Sequence, residues 1–156
     1  MVKLRKFTYE DIDFILSNWV ESDQLSGYFK NCAREVLVQK ITKYNEEKSG
    51  DRFLFTYCIE FENKPVGLLQ FTEKHAGIPN LNIYIEDDFQ KRGIGSEAFE
   101  LGKKIIKEKG FNLITSSCAK ANFKSMHFHK KVGFELIKEE LSPNGTPMCR
   151  WKYELK

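Results

Sequence analysis

The sequence contains few of the residues that build metal sites or disulfide frameworks. Four cysteines and three histidines are present among 156 residues. The cysteines are scattered and form no C-x-x-C pair, so we expect neither a metal site nor a disulfide framework. We interpret them as buried thiols of a protein kept in a reducing compartment.

Long apolar runs are also absent. No segment approaches the ~20 apolar residues that a membrane-crossing helix needs, and the first residues contain no apolar signal-peptide core. We therefore expect a cytoplasmic protein that has no membrane partner.

A strong excess of one charge is lacking as well. Lysine and arginine total 25 against 22 aspartate and glutamate, which gives a net charge of +3. The charges are interleaved along the chain, whereas a nucleic-acid surface needs a concentrated basic patch. We expect no nucleic-acid partner, and an RNA-binding protein stays open only as an alternative supported by mild basicity.

What the chain does contain is enough apolar sequence for a packed core. Hydrophobic residues make up 41% and aromatic residues 13%, which is typical of one globular domain over residues 1–156. No repeat or linker divides the chain.

Apolar spacing predicts four helices. Thr8 and Asp11 resemble a capping box that begins the first helix, and Val36 to Tyr44 predicts a second helix that ends near Ser49 and Gly50. The third and fourth helices are predicted over Gly93–Lys109 and Ala121–Lys131, closed by Gly110 and Gly133.

Alternating apolar and polar residues predict the strands. They are Lys3–Phe7, Phe53–Phe61, Val66–Glu73, Ile78–Ile85, Phe111–Ser117, Phe134–Lys138 and a last strand from Cys149 to Leu155. Turns are expected at Glu62–Pro65 and at Ser142–Gly145. The order is β-α-α-β-β-β-α-β-α-β-β, which indicates an α/β (α+β) fold with one sheet.

The strongest chemical feature is a strand and a loop followed by Gly93-Ile94-Gly95 at a helix start. Glycines allow close approach of a ligand, and the first helical turn offers unpaired N–H groups to phosphate oxygens. The glycines also fit a tight turn with no ligand. A dinucleotide-binding fold is disfavoured, because residues 116–120 lack the acidic residue that would bind the ribose.

Two motifs together resemble the GNAT superfamily of N-acetyltransferases. Gln90-Lys91-Arg92-Gly93-Ile94-Gly95 matches the family's [Gln/Arg]-x-x-Gly-x-[Gly/Ala] loop. Asn122 and Ser125 begin a helix that ends in Gly133-Phe134, like the family's second pattern. The opening Leu4–Asp11 resembles the branch that acetylates ribosomal-protein N-termini, polyamines or small amines.

The resemblance implies a mixed, mostly antiparallel sheet with helices on both faces, and acetyl-CoA bound as co-substrate between two splayed strands. Main-chain groups of Ile83 and Ile85 would bind the pantetheine arm. The loop from Gln90 to Ser96 would bind the pyrophosphate through the amides of Arg92, Gly93, Gly95 and Ser96. Lys91 and Arg92 would screen the phosphates, or form only a solvated charge pair. Asn122 and Ser125 would contact the cofactor, although Asn122 fits a helix N-cap equally well.

The family often places a tyrosine that protonates the departing thiolate where this chain has His129. The histidine is expected to act as proton donor, as a cofactor contact, or as a helix-face residue without a catalytic role. Glu73 is the preferred general base, with His75, Asn80 and Tyr84 as further candidates, although a strand-end glutamate is also typical of a solvated surface. An N–H of Ile83, Tyr84 or Ile85 would stabilise the oxyanion.

The acceptor is expected to be a primary amine on a small molecule, a polyamine or a protein N-terminus. By resemblance, residues 19–30 and 143–148 would shape its pocket. Four carboxylates were considered as attractors of a cationic acceptor: Glu21, Asp23, Glu60 and Glu62. Pairing of the last strands makes a homodimer an option. The alternative function is a non-catalytic acyl-CoA-binding module of the same fold.

Overall fold

The computed structural model describes residues 1–14, 33–36, 38–39, 48–49, 52–75 and 77–156. Its strands are β1 (Val2–Arg5), β2 (Lys48–Ser49), β3 (Arg52–Phe61), β4 (Lys64–His75), β5 (Ile78–Ile85), β6 (Leu113–Ala119), β7 (Glu135–Leu141) and β8 (Pro147–Glu154). Two helices have both ends described, α1 (Ile94–Glu108) and α2 (Phe123–Val132). Short 3-10 turns cover Tyr9–Asp11 and Asp87–Phe89. In this part of the chain, every helix is too short or too polar to cross a membrane.

The strands form a sheet in the order β1-β3-β4-β5-β6-β8-β7, and β2 pairs with β3. Every neighbouring pair is antiparallel except β5 and β6, which are parallel and pair at one position, Asn80 with Thr115. The predicted mixed and mostly antiparallel sheet is therefore confirmed.

Helix α1 packs on one face of the sheet. Leu69, Phe71 and Leu81 lie on this face and are buried. A Cβ added at Gly102 of α1 would lie 3.2 Å from Cδ1 of Leu69, so glycine lets the helix approach the strands closely. The apolar core is continuous from this contact to Trp151 on β8.

The segment that follows β1 packs on the opposite face. Arg5 pairs across the strands with Cys58, and its guanidinium bonds Asp11 at 2.9 Å and Glu60 at 3.0 Å. The Thr8 N–H donates to the Asp11 carboxylate at 2.7 Å, which confirms the predicted capping box. Burial raises the pKa of the Cys58 thiol to about 12, so this cysteine stays a neutral core residue.

Several element boundaries differ from the sequence-based prediction. The second helix was expected to end near Ser49, but Lys48 and Ser49 form β2 because they pair with Phe53 and Arg52 of β3. Residues 34–36 and 38–39 are helical, as expected. The helical spacing of Ile15, Leu16 and Trp19 predicts that the first helix continues beyond residue 14, but these positions lie outside the described residues.

The remaining shifts are small. Strand β1 ends at Arg5 rather than at Phe7, and β6 runs from Leu113 to Ala119 rather than from Phe111 to Ser117. The β3–β4 turn is made by Glu62 and Asn63, which have φ values of 51° and 65°. This left-handed pair matches the right-handed twist of the flanking strands. Pro65, expected in the turn, lies in β4.

Candidate active site

A split between β5 and β6 forms the centre of the site. The two strands pair at Asn80 and Thr115 only, and β6 is otherwise paired along its length with β8. The Leu81 carbonyl, one residue beyond the pair, accepts a hydrogen bond of 3.3 Å from the Ser116 hydroxyl. From Leu81 to the end of β5, the edge that faces β6 is therefore open for a ligand.

Alternate residues of β5 direct their main-chain groups to this open edge. The Tyr84 carbonyl points to β4, where it would lie 2.3 Å from a Cβ added at Gly67, and the Glu86 N–H donates to Val66 of β4 at 2.8 Å. Because the N–H and C=O of one residue in a strand share an edge and neighbouring residues alternate, Ile83 and Ile85 face the split. Ile83 and Ile85, which were expected to bind the pantetheine arm, therefore present their main-chain groups at the open edge, whereas the N–H of Tyr84 faces β4.

The loop after β5 is fastened to the edge of this split. The Gln90 amide nitrogen donates to the Ile85 carbonyl at 2.9 Å and to Asp87 at 3.1 Å. Its amide oxygen accepts a bond of 3.1 Å from the Lys124 ammonium of α2. Gln90 therefore acts as a clamp that joins β5, the loop and the start of α2.

The loop ends in a helix start that is open to an anion. Gly93 is the N-cap of α1 with φ 78°, and the first intrahelical bond joins the Glu97 N–H to the Gly93 carbonyl at 3.1 Å. The amides of Ile94, Gly95 and Ser96 come before that bond, so they have no acceptor within the helix. Gly93 is exposed, and a Cβ built on it would meet no atom within 4 Å.

The helix start also adjoins the open edge of β5. A Cβ added at Gly95 would lie 3.8 Å from Cγ1 of Ile85 and 3.5 Å from Phe128 of α2. The Ile94 side chain is buried and anchors the turn. The first-turn amides and the strand edge thus form one continuous surface, whose shape and polarity would suit a diphosphate joined to an extended amide-bearing arm.

Lys91 and Arg92 are both exposed. Lys91 has φ 63°, a left-handed conformation that reverses the chain before the helix. The Arg92 guanidinium lies 5.3 Å from the centre of the Phe89 ring. Both cations flank the helix start, and their role in screening phosphates stays a prediction.

Asn122 and Ser125 open α2. The Asn122 side-chain oxygen accepts the Ser125 N–H at 3.1 Å, which makes Asn122 the N-cap of the helix. Both residues lie one helix turn or less from Lys124, which reaches the Gln90 clamp. Their contact with a cofactor stays a prediction.

His129 lies in the core, with 3% of its surface exposed. Its ring stacks on Trp151 at a centroid distance of 5.1 Å. Nδ1 lies 2.6 Å from the Ser125 carbonyl, and Nε2 lies 2.8 Å from the Ser116 hydroxyl. Burial lowers the pKa of His129, opposed by the bond to the Ser125 carbonyl, so the ring is neutral near pH 7.

The other catalytic candidates lie apart from this histidine. The Glu73 carboxylate accepts the Gly77 N–H at 2.7 Å in the β4–β5 turn, beyond the closed end of the split. The Asn80 side chain accepts a bond of 3.2 Å from Thr115. Tyr84 is half-buried on the face opposite α1, and the His75 side chain lies outside the described atoms. Glu73, Tyr84 and His129 therefore occupy three different regions, and their catalytic roles stay predictions.

The expected acceptor region is described only in part. Residues 19–30, with Glu21 and Asp23, lie outside the described part of the chain. Glu60 is paired with Arg5. The turn before β8 is closed by the Ser142 N–H bonded to the Thr146 carbonyl at 2.9 Å. Among the described residues, no group of three or more His, Cys, Asp or Glu side chains is arranged to hold a metal ion.

Sequence reasoning missed two residues of the site. Ser116 was noted only as part of residues 116–120, which contain no acidic residue, and Lys124 was not considered. Ser116 lies on the same face of β6 as Ile114 and Cys118, which are both buried. A hydroxyl on an otherwise apolar strand face was therefore a signal available in the sequence. Lys124 gave no comparable signal, because its partner is 34 residues away.

The chain is similar to known acetyltransferases. A family model described as "Acetyltransferase (GNAT) domain" matches residues 2–135. No curated protein sequence gives a significant match to the chain.

Solved structures share the fold at low sequence identity. An acetyl transferase from Salmonella typhimurium that modifies the N-terminal serine of a 50S ribosomal subunit protein has a TM-score of 0.76 and 15% identity, over 99% of this chain and 95% of that one. A GNAT-family acetyltransferase from Bacillus anthracis gives 0.77 and 18%, over 98% and 94%. An aminoglycoside acetyltransferase in complex with coenzyme A gives 0.73 and 15%, over 99% and 95%.

Proposed function

The chain belongs to the GNAT acetyltransferase family, and we propose that it moves an acetyl group from acetyl-CoA to a primary amine. The observation that carries this proposal is the continuous surface formed by the first-turn amides of α1 and the open edge of β5. The amides suit a diphosphate, and the edge suits the amide groups of a pantetheine arm, which would bind like an added strand.

Particular groups of this chain would hold the co-substrate. The N–H groups of Gly93, Gly95 and Ser96 would bind the diphosphate, with Lys91 and Arg92 supplying positive charge nearby. Main-chain groups of Ile83 and the N–H of Ile85 would bind the arm, since the Ile85 carbonyl is already bonded to Gln90. The aminoglycoside acetyltransferase with the same fold is in complex with coenzyme A, which supports acyl-CoA as the donor.

Acetyl-CoA supplies an activated acyl group, and the protein would supply position and hydrogen bonds. Holding the amine beside the thioester replaces a bimolecular encounter. An N–H of the β5 edge would donate to the acyl oxygen, where negative charge develops during attack. The amine must be neutral to attack, so a base is needed, and Glu73 remains the proposed base. Because its carboxylate already accepts the Gly77 N–H, Glu73 would act through a water molecule.

We propose a primary amine as acceptor without naming the molecule. Relatives of this fold include one that modifies a protein N-terminal serine and one that acts on aminoglycosides. Their identity to this chain is 15% in both cases, so the choice between a peptide and a small amine rests on experiment.

A non-catalytic acyl-CoA-binding module is the second candidate. The observation that favours it is the burial of His129 at the position where the family often has a tyrosine acid. A buried neutral imidazole is a poor proton donor, so a binder that releases no thiol is consistent with this residue.

Two measurements test these proposals. Calorimetry compares acetyl-CoA with S-acetylpantetheine, which has the same arm and thioester but lacks the diphosphate and the nucleotide. We expect at least a tenfold preference for acetyl-CoA, the effect of about 1.4 kcal/mol, and S-acetyl-4′-phosphopantetheine should lie between the two if phosphate contributes. Thiol release in the presence of a broad panel of amines then separates an enzyme from a binder. Equal affinity for acetyl-CoA and S-acetylpantetheine would refute the diphosphate site, and tight binding without thiol release would favour the binding module.

A further inference from the structure

A single hydroxyl joins three elements at the closed end of the split. Ser116 on β6 lies 2.8 Å from Nε2 of His129 on α2 and 3.3 Å from the Leu81 carbonyl on β5. The side chain is 5% exposed. The hydroxyl is therefore held by its surroundings rather than by solvent, and its direction is set by two acceptors.

The proton positions follow from the partner of Nδ1. A main-chain carbonyl only accepts hydrogen bonds, so Nδ1 of the neutral His129 carries the proton that the Ser125 carbonyl accepts at 2.6 Å. Nε2 then has a free lone pair, and the Ser116 hydroxyl donates to it. One hydroxyl proton thus faces two acceptors, Nε2 and the Leu81 carbonyl, and bonds only one of them at a time.

The position of Ser116 along the split indicates which part of a bound acetyl-CoA it would contact. The diphosphate site lies beyond the C-terminal end of β5, next to Ile85. Successive edge-facing residues Ile85, Ile83 and Leu81 lead from that site to the Asn80–Thr115 pair, where the split closes. Two residues of a strand span about 6.6 Å, so an extended arm that starts at the diphosphate brings its far end towards Leu81 and Ser116.

We infer that Ser116 is the residue that donates a hydrogen bond to the thioester sulfur as it departs, and that His129 acts through Ser116 as a positioning residue. This inference rests on the proposed function. His129 does not reach the split itself, because the Ser116 hydroxyl lies between its Nε2 and the Leu81 carbonyl and Trp151 covers the ring.

The physical reason is a change in acceptor strength during the reaction. Before attack, Nε2 and the Leu81 carbonyl are neutral acceptors that hold the hydroxyl in place. A sulfur that gains negative charge is a stronger acceptor, because hydrogen bonds to charged groups are about twice as strong as neutral ones. The new bond forms only as charge develops, which is the kind of interaction that accelerates a chemical step.

The bond changes balance without an added reagent. The amine lone pair forms the C–N bond, the C–S bond breaks, and its electron pair goes to sulfur. The amine releases its proton to water. The Ser116 hydroxyl keeps its own proton and stabilises the thiolate, which is protonated by water on release.

The test measures the ionisation of bound coenzyme A and does not need an acceptor amine. The thiol pKa of coenzyme A in complex with the protein is determined from the ultraviolet absorbance of the thiolate during a pH titration. In Ser116→Ala, we expect this pKa to rise by about one unit, a tenfold loss of thiolate at a given pH. In Ser117→Ala, which removes the neighbouring hydroxyl from the opposite face of β6, we expect less than about 0.2 unit.

A double-mutant cycle tests the role of His129. If His129 acts through Ser116, His129→Gln raises the thiol pKa in the wild-type background and leaves it unchanged in the Ser116→Ala background, because the two effects share one hydroxyl. Equal shifts in both backgrounds would show that His129 does not act through Ser116. The thermal midpoint of each variant verifies folding, and Ser116→Val, which removes the hydroxyl without adding a thiol, replaces Ser116→Ala if that variant does not fold.

The outcomes separate this inference from the proposed function. If the wild-type protein fails to bind coenzyme A, the proposed function is wrong and this inference falls with it. If coenzyme A binds and Ser116→Ala leaves the thiol pKa within about 0.2 unit of wild type, only the role of Ser116 is wrong.

Discussion

The side-chain amide of Gln90 donates a 2.9 Å hydrogen bond to the main-chain carbonyl of Ile85. This bond fastens the loop that precedes α1 to the last residue of β5. The same side chain accepts a bond from Lys124 of α2, so one residue fixes the loop against both β5 and α2.

The first prediction concerns this clamp. Gln90→Met keeps the side-chain length and removes its hydrogen bonds to Ile85, Asp87 and Lys124. The loop then loses its fixed position, and acetyl-CoA affinity should fall about fivefold to tenfold, as expected for roughly 1 kcal/mol. Calorimetry measures the change. Lys124→Met is the matched variant, because it removes one of the bonds and leaves the link to Ile85, and it should show a smaller loss. An unchanged affinity in Gln90→Met would contradict the clamp.

The second prediction uses the two glycines at the ends of α1. Gly93 and Gly110 have φ values of 78° and 96°, and a Cβ at either would meet no atom within 4 Å. Alanine is strained at both positions, and each variant should lose about 1 kcal/mol of unfolding free energy. Acetyl-CoA affinity should fall only in Gly93→Ala, because Gly93 is the N-cap at the proposed diphosphate site, whereas Gly110 lies at the other end of the helix. Equal affinities of the two variants would argue against a ligand at this helix start.

The third prediction concerns the pH dependence of stability. Burial lowers the pKa of His129 in the folded state, whereas an unfolded histidine titrates near pH 6.5. The unfolded chain therefore binds more protons below about pH 6.5, so the free energy of unfolding should decrease as pH falls through that value and level off below the folded pKa. Above about pH 6.5 this group contributes no slope.

Urea denaturation at a series of pH values measures this effect. His129→Gln should remove the part of the slope that lies below about pH 6.5. His127→Gln, which replaces an exposed histidine of the same helix, should leave that slope in place. A slope that persists in His129→Gln would assign it to other groups.

The fourth prediction concerns the ion pair that fastens the N-terminal segment. Burial alone would raise the pKa of Asp11, but the bonds from Arg5 and Thr8 outweigh it and lower the pKa. Asp11→Asn should therefore lose about 1–3 kcal/mol of unfolding free energy at neutral pH, because Arg5 keeps its charge and loses one of its two carboxylate partners. Chemical denaturation measures the loss, and Glu10→Gln, an exposed neighbour, should change it by less than about 0.5 kcal/mol.

The Asp11 contribution also has a defined acid limit. A lowered carboxyl pKa gives stability that is fully present above the unfolded value of about 3.9 and is lost as pH falls through the folded pKa. The stability difference between wild type and Asp11→Asn should therefore shrink on acidification. A difference that is independent of pH would mean that the ion pair is not its source.

Local signals in the sequence determined much of the fold. The capping box of Thr8 and Asp11 and the left-handed residue Gly133 depend on a few consecutive residues, and such signals mark where helices begin and end. The loop motif and the helix led by Asn122 together indicated the family, which the match over residues 2–135 confirms. The end of the second helix was wrong because Lys48 and Ser49 pair with β3.

The tertiary structure alone decided which groups face the split. Ile83 and Tyr84 are neighbours in one strand, yet the register with β4 turns the main chain of Ile83 towards the open edge and that of Tyr84 away from it. The contact between Ser116 and His129 joins a strand to a helix, and the sequence specifies neither the distance nor the angle between them. Periodicity identifies the face of an element, whereas the partner of a side chain depends on how separate elements pack.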